Sequence, residues 1–294
     1  MAETLWAFGS SLMSGTNDAF VYFSLKSYGE EKKLSAILGR SRTYNLIALT
    51  ISAPIGSIIA EFISLQFTMT FLAVIYINAF IVALTFKEPK LRSLEYQKES
   101  YFKIIISGFR ELHKKKTLRI LAFDWIPISV LVFYMFWSYQ VYLQAINIPI
   151  RWFGFILAGM NIINAISSSL IPLFLKKSKN KKLFLIIINL VNGFAYIFLG
   201  LTTIIPLGLT IMSIIIAFGY TRYLLFVDGI NIQIDSENRA TVLSTINMFG
   251  SLLRAISYPF VGILVELNVF YFFIGTGALI LFLTIFTRSK SENL

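Results

Sequence analysis

A basic stretch from Lys87 to Arg119 is the only long polar interval in this sequence, and it separates two groups of apolar segments. Each segment holds about twenty mostly apolar residues, the length at which a helix rising ~1.5 Å per residue crosses roughly 30 Å of hydrocarbon. Three segments precede the basic stretch and six follow it. We therefore predict an all-α polytopic membrane protein. Its nine predicted transmembrane helices are 4–25, 44–63, 67–86, 120–143, 152–175, 183–201, 204–228, 240–265 and 269–286.

The distribution of charge indicates a lipid bilayer rather than nucleic acid as the large partner of this chain. The sequence is 56% hydrophobic and has a formal net charge of +11. Of its 26 Lys and Arg, ten lie in 87–119, five in 26–42 and five in 176–182. Basic loops that alternate with almost uncharged ones are typical of positive-inside topology, whereas a nucleic-acid-binding groove gathers its charge on one face. We predict a multi-pass cell-membrane protein with the C-terminus cytoplasmic and the N-terminus of this chain outside.

The sequence also limits the chemistry available to the chain. It contains no cysteine, and its only histidine, His113, lies in the basic stretch. This excludes disulfides, a catalytic thiol and the usual zinc ligand sets. Because the predicted spans contain no His, no Cys and few carboxylates, they hold no converging nucleophile, base or metal ligands. We therefore predict that the chain is not an enzyme and has no catalytic residues, metal or cofactor.

The basic stretch also divides the chain into domains. We predict a partial N-terminal transmembrane bundle of three helices at 1–86, a basic cytoplasmic linker at 87–119 and a six-helix transmembrane bundle at 120–294. Within the linker, apolar residues at helical spacing predict an amphipathic helix at the membrane surface. It is interpreted either as a passive connection or as a site for a regulatory partner. Its apolar residues are Phe102, Ile105, Ile106, Phe109 and Leu112.

Polar residues inside the spans are the candidates for substrate binding or proton coupling, because ionisable groups at membrane depth are costly. Arg254 falls near the centre of its segment, so it either pairs with a buried carboxylate or binds an anionic substrate. Asp18 and Asp124 are the candidates for carrying a proton. Hydrogen bonding between helices is an equally open interpretation of the uncharged members. The candidates are Asp18, Asp124, Arg222, Arg254, Asn161, Asn164, Tyr139 and Gln140.

Two short motifs resemble one group of bacterial transporters in the major facilitator superfamily. Ser14-Gly15-Thr16-x-x-Ala19 resembles the fourth transmembrane helix of that group, and the run from Arg239 to Ser244 resembles its junction between helices ten and eleven. The basic stretch falls where the family has its central cytoplasmic loop. The resemblance covers the whole chain, with the nine segments matching helices four to twelve. It implies a major-facilitator-type helix bundle whose N-terminal half is incomplete and lacks the first three helices.

The resemblance implies a secondary active transporter that moves a small molecule by alternating access. The run 53–56 is similar to an antiporter motif, although it lacks the flanking glycines, and it favours efflux. Paired proline and glycine positions in equivalent helices are typical of moving helices. The alternative is a truncated remnant that does not transport. Gating or structural roles are predicted for Ser14, Gly15, Thr16, Pro54, Gly56, Asp228, Arg239, Pro259 and Gly262.

Overall fold

A computed structural model describes residues 2–13, 16–87, 101–177, 180–234 and 239–294 of the 294-residue chain. The described part is helical and contains no strand. A helix pairs its own backbone groups, which lipid cannot do, so long apolar runs in a membrane take this form. The helices are α1 (Ala2–Met13), α2 (Thr16–Ser27), α3 (Leu34–Phe62), α4 (Leu65–Leu84), α5 (Tyr101–Lys114), α6 (Lys116–Phe133), α7 (Met135–Ala145), α8 (Phe153–Lys177), α9 (Lys181–Leu201), α10 (Ile205–Gln233) and α11 (Arg239–Ile285).

Polar residues between the apolar runs mark several helix ends. Ser64 Oγ accepts a hydrogen bond from the backbone N–H of Phe67 at 3.0 Å and caps α4. Asn180 Oδ1 accepts one from the N–H of Leu183 at 3.0 Å and caps α9. These side chains pair donors that the first helical turn leaves free. These two helices therefore begin where the sequence supplies a short polar side chain.

Helix α11 consists of two arms that meet at Asn268. This residue has non-helical backbone angles (φ −167°, ψ 109°). Its Oδ1 accepts hydrogen bonds from the backbone N–H groups of Phe270 and Tyr271 at 2.9 and 3.1 Å. Asn268 thus acts as the N-cap of the second arm. The break lies between the predicted segments 240–265 and 269–286.

Seven helices in the described part of the chain are long and apolar enough to cross a membrane. Of the predicted first segment, the structure describes α1 and α2, which have 12 residues each, and residues 14 and 15 lie outside the described ranges. The last two predicted segments form one long candidate, Thr241–Ile285. The predicted all-helical membrane class is confirmed. The nine crossings and the incomplete N-terminal half stay predictions.

The chain forms two compact units, residues 1–98 and 99–294. In the first, α3 and α4 are the long helices, and no residue of α4 is buried. In the second, α5 to α11 bury two apolar clusters. One surrounds Tyr142, Tyr196 and Phe273. The other surrounds Leu121 and Phe226.

The amphipathic helix α5 packs within the second unit. The rings of Phe109 and Phe249 meet edge to face at 5.1 Å, and Leu112 is buried. At Gly108 a side-chain carbon would collide with the hydroxyl of Thr245, so α5 approaches α11 closely. Part of the apolar stripe of α5 therefore contacts α11 rather than lipid.

Candidate functional site

The side chain of Arg222 is buried between α10, α6 and α9. Its Nε donates to Oδ1 of Asn189 at 2.9 Å. Its Nη1 donates to the backbone oxygen of Trp125 at 2.8 Å and to Oγ of Ser129 at 3.0 Å. Its Nη2 donates to the backbone oxygen of Asp124. Since a guanidinium has five N–H donors, Arg222 uses most of them to hold the three helices together.

The carboxylate of Asp124 holds the segment that follows α11. Its Oδ2 accepts hydrogen bonds from the backbone N–H of Arg288 at 2.9 Å and from the backbone N–H of Ser289 at 2.6 Å. The hydroxyl of Ser289 donates to the same oxygen at 2.6 Å. Asp124 is buried, so this group of charge-assisted bonds is largely shielded from solvent. This predicted proton-coupling candidate therefore anchors part of the chain.

The anchored segment, 287–294, continues across the ends of α9 and α10. The Lys181 backbone N–H donates to Oγ of Ser291 at 2.8 Å, and Lys181 Nζ donates to the backbone oxygen of Leu294. The side chain of Leu294 is buried. A side-chain carbon at Gly229 of α10 would collide with the backbone of this segment. Asp124, Lys181 and Gly229 together fix the path of residues 288–294.

Arg254 lies in the first arm of α11, and its partners are uncharged. Its Nη2 donates to Oγ of Ser251 at 2.8 Å. The guanidinium lies 5.1 Å from the centre of the Phe133 ring, a cation–π distance. No carboxylate in the described part of the chain forms an ion pair with it. The positive charge of Arg254 is therefore not balanced by an acidic neighbour there.

A small polar pocket of about 40 Å³ lies beside Arg254, between α6 and α11. Trp125 lines it, and the buried Nε1 of this residue has no hydrogen-bond partner within the described ranges. Ser129 lines it as well and also accepts from Arg222. No lining residue is acidic. The lining residues are Trp125, Ile126, Ser129, Val130, Ile246, Asn247, Gly250 and Arg254.

The uncharged candidates lie apart from this pocket. Tyr139 is buried in α7, and its hydroxyl accepts from Nε2 of the exposed Gln140 at 3.1 Å. In α8, Asn161 is half-buried and Asn164 has a buried Oδ1 without a partner among the described residues. None of these four side chains lines the pocket. The structure thus brings Asp124, Arg222 and Arg254 to neighbouring places and leaves these four elsewhere in the unit.

A comparison with family models identifies the family of this helical chain. A model of the Major Facilitator Superfamily matches residues 4–257, well over half of the chain. The chain belongs to the major facilitator superfamily. The predicted resemblance to this superfamily is confirmed. The comparison with curated proteins found no match.

Membership in the major facilitator superfamily confirms several predictions at a general level. The chain is a multi-pass membrane protein of a transporter family whose members bind small molecules. Since the members are transporters, the family agrees with the prediction that the chain is not an enzyme. The roles of individual residues stay predictions.

The candidate gating residues of this family member are described in part. Pro54 lies inside α3 and Pro259 inside α11, and each helix continues past its proline. A side-chain carbon at Gly56 or Gly262 would meet no atom within 4 Å, so neither glycine is required for close packing. Asp228 is exposed on α10.

Some predicted positions cannot be compared with the structure. Ser14 and Gly15 lie outside the described residues. The side chains of Thr16, Asp18 and Arg239 also lie outside the description, although their backbone belongs to α2 and α11. The predicted roles of these five residues stay predictions.

Sequence reasoning did not single out Trp125, Ser129, Asn189 or Asn192 as site residues. Asn189 holds Arg222, and the buried Asn192 has neither amide atom paired within the described ranges. The available signal was the spacing of the two asparagines, three residues apart on one face of an apolar helix. No comparable pattern distinguishes Ser129 from other hydroxyl residues in the spans.

Proposed function

We propose that this chain is a secondary active transporter that moves a small molecule across the cell membrane by alternating access. The observation that carries the proposal is the family match over residues 4–257. The polar pocket beside Arg254 supports a substrate site within the second unit, because binding sites combine a few placed polar groups with apolar surroundings.

The proposal includes a division of roles among the charged residues. Arg254 contacts the substrate, because it is half-buried next to a pocket and has no acidic partner within the described ranges. Arg222 and Asp124 hold helices and the segment 287–294, since most donors of Arg222 and one carboxylate oxygen of Asp124 are already engaged. Asp18 is left as the candidate for proton coupling. Pro54 and Pro259 are proposed to permit bending of α3 and α11 during the transport cycle.

Direction and orientation are also part of the proposal. The resemblance at residues 53–56 favours export from the cell, with a cytoplasmic C-terminus and an external N-terminus of this chain. Export driven by a proton gradient would make accumulation in inverted vesicles sensitive to a protonophore. Accumulation that persists after the gradient is collapsed would contradict proton coupling.

The transport proposal is tested with purified protein in proteoliposomes. A panel of labelled anions, cations and neutral compounds is screened for saturable counterflow. We expect at least one compound to exchange faster than in protein-free liposomes and Arg254→Gln to abolish that exchange. Arg42→Gln, at an exposed position of α3, is the matched control and keeps the wild-type rate. Exchange no faster than in empty liposomes across the panel would contradict transport.

A further inference from the structure

We propose that the pocket beside Arg254 binds an oxyanion, and that the substrate is an organic anion with a carboxylate or similar group and an apolar body. The identification of the bound anion as a substrate rests on the proposed transport function, whereas the anion-binding site itself is inferred from the geometry of the pocket.

The pocket beside Arg254 carries a positive charge that no acidic neighbour in the described part of the chain balances. The guanidinium of Arg254 is held by the Ser251 hydroxyl and the ring face of Phe133, which orient it without neutralising it. A cation at membrane depth is costly unless an anion accompanies it. No lining residue of the pocket is acidic, and no carboxylate in the described part of the chain pairs with Arg254. The site therefore lacks the negative charge that a bound anion supplies.

Several hydrogen-bond donors belong to residues that line the pocket. Trp125 is 7% exposed, and its indole N–H, which can only donate, has no partner within the described ranges. Leaving a buried donor unpaired costs free energy, so a ligand acceptor that reached this N–H would be stabilised. The amide of Asn247 and the Ser129 hydroxyl offer further donors at the same place. Together with Arg254 they form a donor-rich site, which suits an oxyanion and disfavours an ammonium group.

The pocket is small and lies next to a larger apolar groove. The pocket has a volume of about 40 Å³, which is enough for a group the size of a carboxylate. It is far smaller than a complete ligand-binding site, which occupies at least ~300 Å³. A wider groove of about 770 Å³ shares Val130 with the pocket. Its lining includes Leu131, Leu253 and Leu264 and is mostly apolar. The pocket therefore suits the charged end of a molecule whose apolar part extends into the groove.

The position of Arg254 along α11 favours a soluble ligand over a lipid headgroup. Arg254 lies 15 residues after the start of α11 at residue 239 and 14 before the break at Asn268. At 1.5 Å per residue this places it about 20 Å along the helix from either end. A phosphate at the membrane surface lies too far from such a position. The bound oxyanion is thus a ligand that enters the bundle.

The test uses the full chain with Trp125 as its only tryptophan (Trp6→Phe, Trp137→Phe, Trp152→Phe), purified in a neutral detergent. Sodium hexanoate is titrated while Trp125 emission is recorded, and hexylammonium chloride serves as the charge-reversed probe of equal length. We expect a saturable change with hexanoate and none with hexylammonium. Arg254→Gln should weaken hexanoate binding at least about ten-fold, since it removes a charge-assisted hydrogen bond. Arg119→Gln, a basic residue of α6 outside the pocket, should leave the binding unchanged.

Three results would overturn the anion site. They are no saturable change in a protein that elutes as one species, equal responses to both probes, and unaltered binding in Arg254→Gln. If Arg254→Gln does not fold, Asn247→Leu removes a donor from the pocket without changing its charge, and unaltered hexanoate binding in this variant would overturn the site.

The binding and counterflow experiments together distinguish a failure of the anion site from a failure of the transport proposal. Counterflow of a cationic compound that survives Arg254→Gln would contradict the substrate class and leave transport intact. Hexanoate binding without counterflow of any compound would leave the anion site intact and contradict transport. Repeating the titration in phosphatidylcholine vesicles with and without phosphatidylglycerol tests the lipid. Loss of the hexanoate signal only with phosphatidylglycerol would overturn the assignment to a soluble ligand.

Discussion

The guanidinium of Arg222 is surrounded by oxygen atoms that carry no net charge. Two are backbone oxygens of α6, at Asp124 and Trp125, and Pro127 follows them in the same helix. A proline removes one helix hydrogen bond and distorts the preceding turn, which makes nearby carbonyl oxygens more accessible. Phe226 covers the guanidinium at 4.8 Å from the ring centre. Buried cations are stabilised when their donors are satisfied, and Arg222 meets this condition without an ion pair.

At the scale of single residues, Asp124 gives the sharpest prediction about the segment 287–294. Asp124→Ala removes three hydrogen bonds to one carboxylate oxygen, each of a kind that contributes about 1.5–3 kcal/mol. The segment should then open more often, and trypsin should cleave after Arg288 and Lys290 at least ten-fold faster. The measurement is mass spectrometry of the released C-terminal peptides over time.

Two variants control the Asp124 experiment. Ser289→Ala removes one of the three bonds and should give an intermediate cleavage rate. Asp228→Ala removes an exposed carboxylate of α10 and should leave the rate unchanged. Equal cleavage in Asp124→Ala and Asp228→Ala would show that the hydrogen bonds to Asp124 do not hold the segment.

The sequence identified which residues are costly to bury but not what they contact. It predicted that a buried cation needs an anionic partner, because burying a charge is expensive, and Arg222 is such a cation. The partners that the structure provides are main-chain oxygens and the Asn189 amide, whose positions depend on how α6 and α9 pack. Packing of this kind leaves no periodic signal in a single sequence. The same reason explains why the anchoring role of Asp124 was not predicted.

At the scale of helices, glycines bring α9 and the second arm of α11 together. A side-chain carbon at Gly277 would lie 2.5 Å from the backbone oxygen of Gly193 and 2.9 Å from the backbone nitrogen of Ile197. A side-chain carbon at Gly193 would lie 2.6 Å from Leu281. At Gly200 it would collide with the backbone oxygen of Phe270. Small residues at such contacts let membrane helices approach closely, and the attraction comes from van der Waals packing.

Gly277→Ala should therefore destabilise the protein. The added methyl would be too close to backbone atoms of α9, which cannot move aside as a side chain does, and overpacking of this kind costs about 1–3 kcal/mol. We expect the melting temperature, measured by fluorescence-detected size exclusion after heating, to fall by several degrees. Gly275→Ala is the matched control two residues away, since a side-chain carbon there would meet no atom within 4 Å. Identical melting of the two variants would contradict the glycine contact.

The sequence predicted where the long helices lie better than it predicted where a helix is interrupted. Apolar runs of about twenty residues located the long helices, because hydrophobic length is set by the bilayer. The predicted segment 120–143 instead comprises α6 and α7, which are separated at Tyr134. The hydroxyl of Tyr134 lies 2.7 Å from Oγ of Ser257 and the residue is buried, so the junction of the two helices also contacts α11. A contact between residues more than a hundred positions apart is not visible in local hydropathy.

At the scale of the whole molecule, the alternation of basic loops predicts the membrane topology, because the orientation of short loops follows their Lys and Arg content. The nine predicted segments, with a cytoplasmic C-terminus, would place residue 66 and residue 203 outside and the segment after α11 in the cytoplasm. Gln66 lies at the start of α4 and Thr203 lies between α9 and α10, in parts of the chain without Lys or Arg, and both are exposed. Lys290 is exposed in the segment after α11. The three positions thus test the N-terminal and C-terminal parts of the chain separately.

The chain has no native cysteine, so Gln66→Cys, Thr203→Cys and Lys290→Cys each give a single labelling site without other changes. In intact cells, a membrane-impermeant maleimide should label Gln66→Cys and Thr203→Cys but not Lys290→Cys. Permeabilised cells should label all three, which controls for reactivity. Labelling of Lys290→Cys in intact cells would reverse the predicted orientation. Labelling of Thr203→Cys but not Gln66→Cys would instead place an odd number of crossings between them, which contradicts the four segments predicted there, 67–86, 120–143, 152–175 and 183–201.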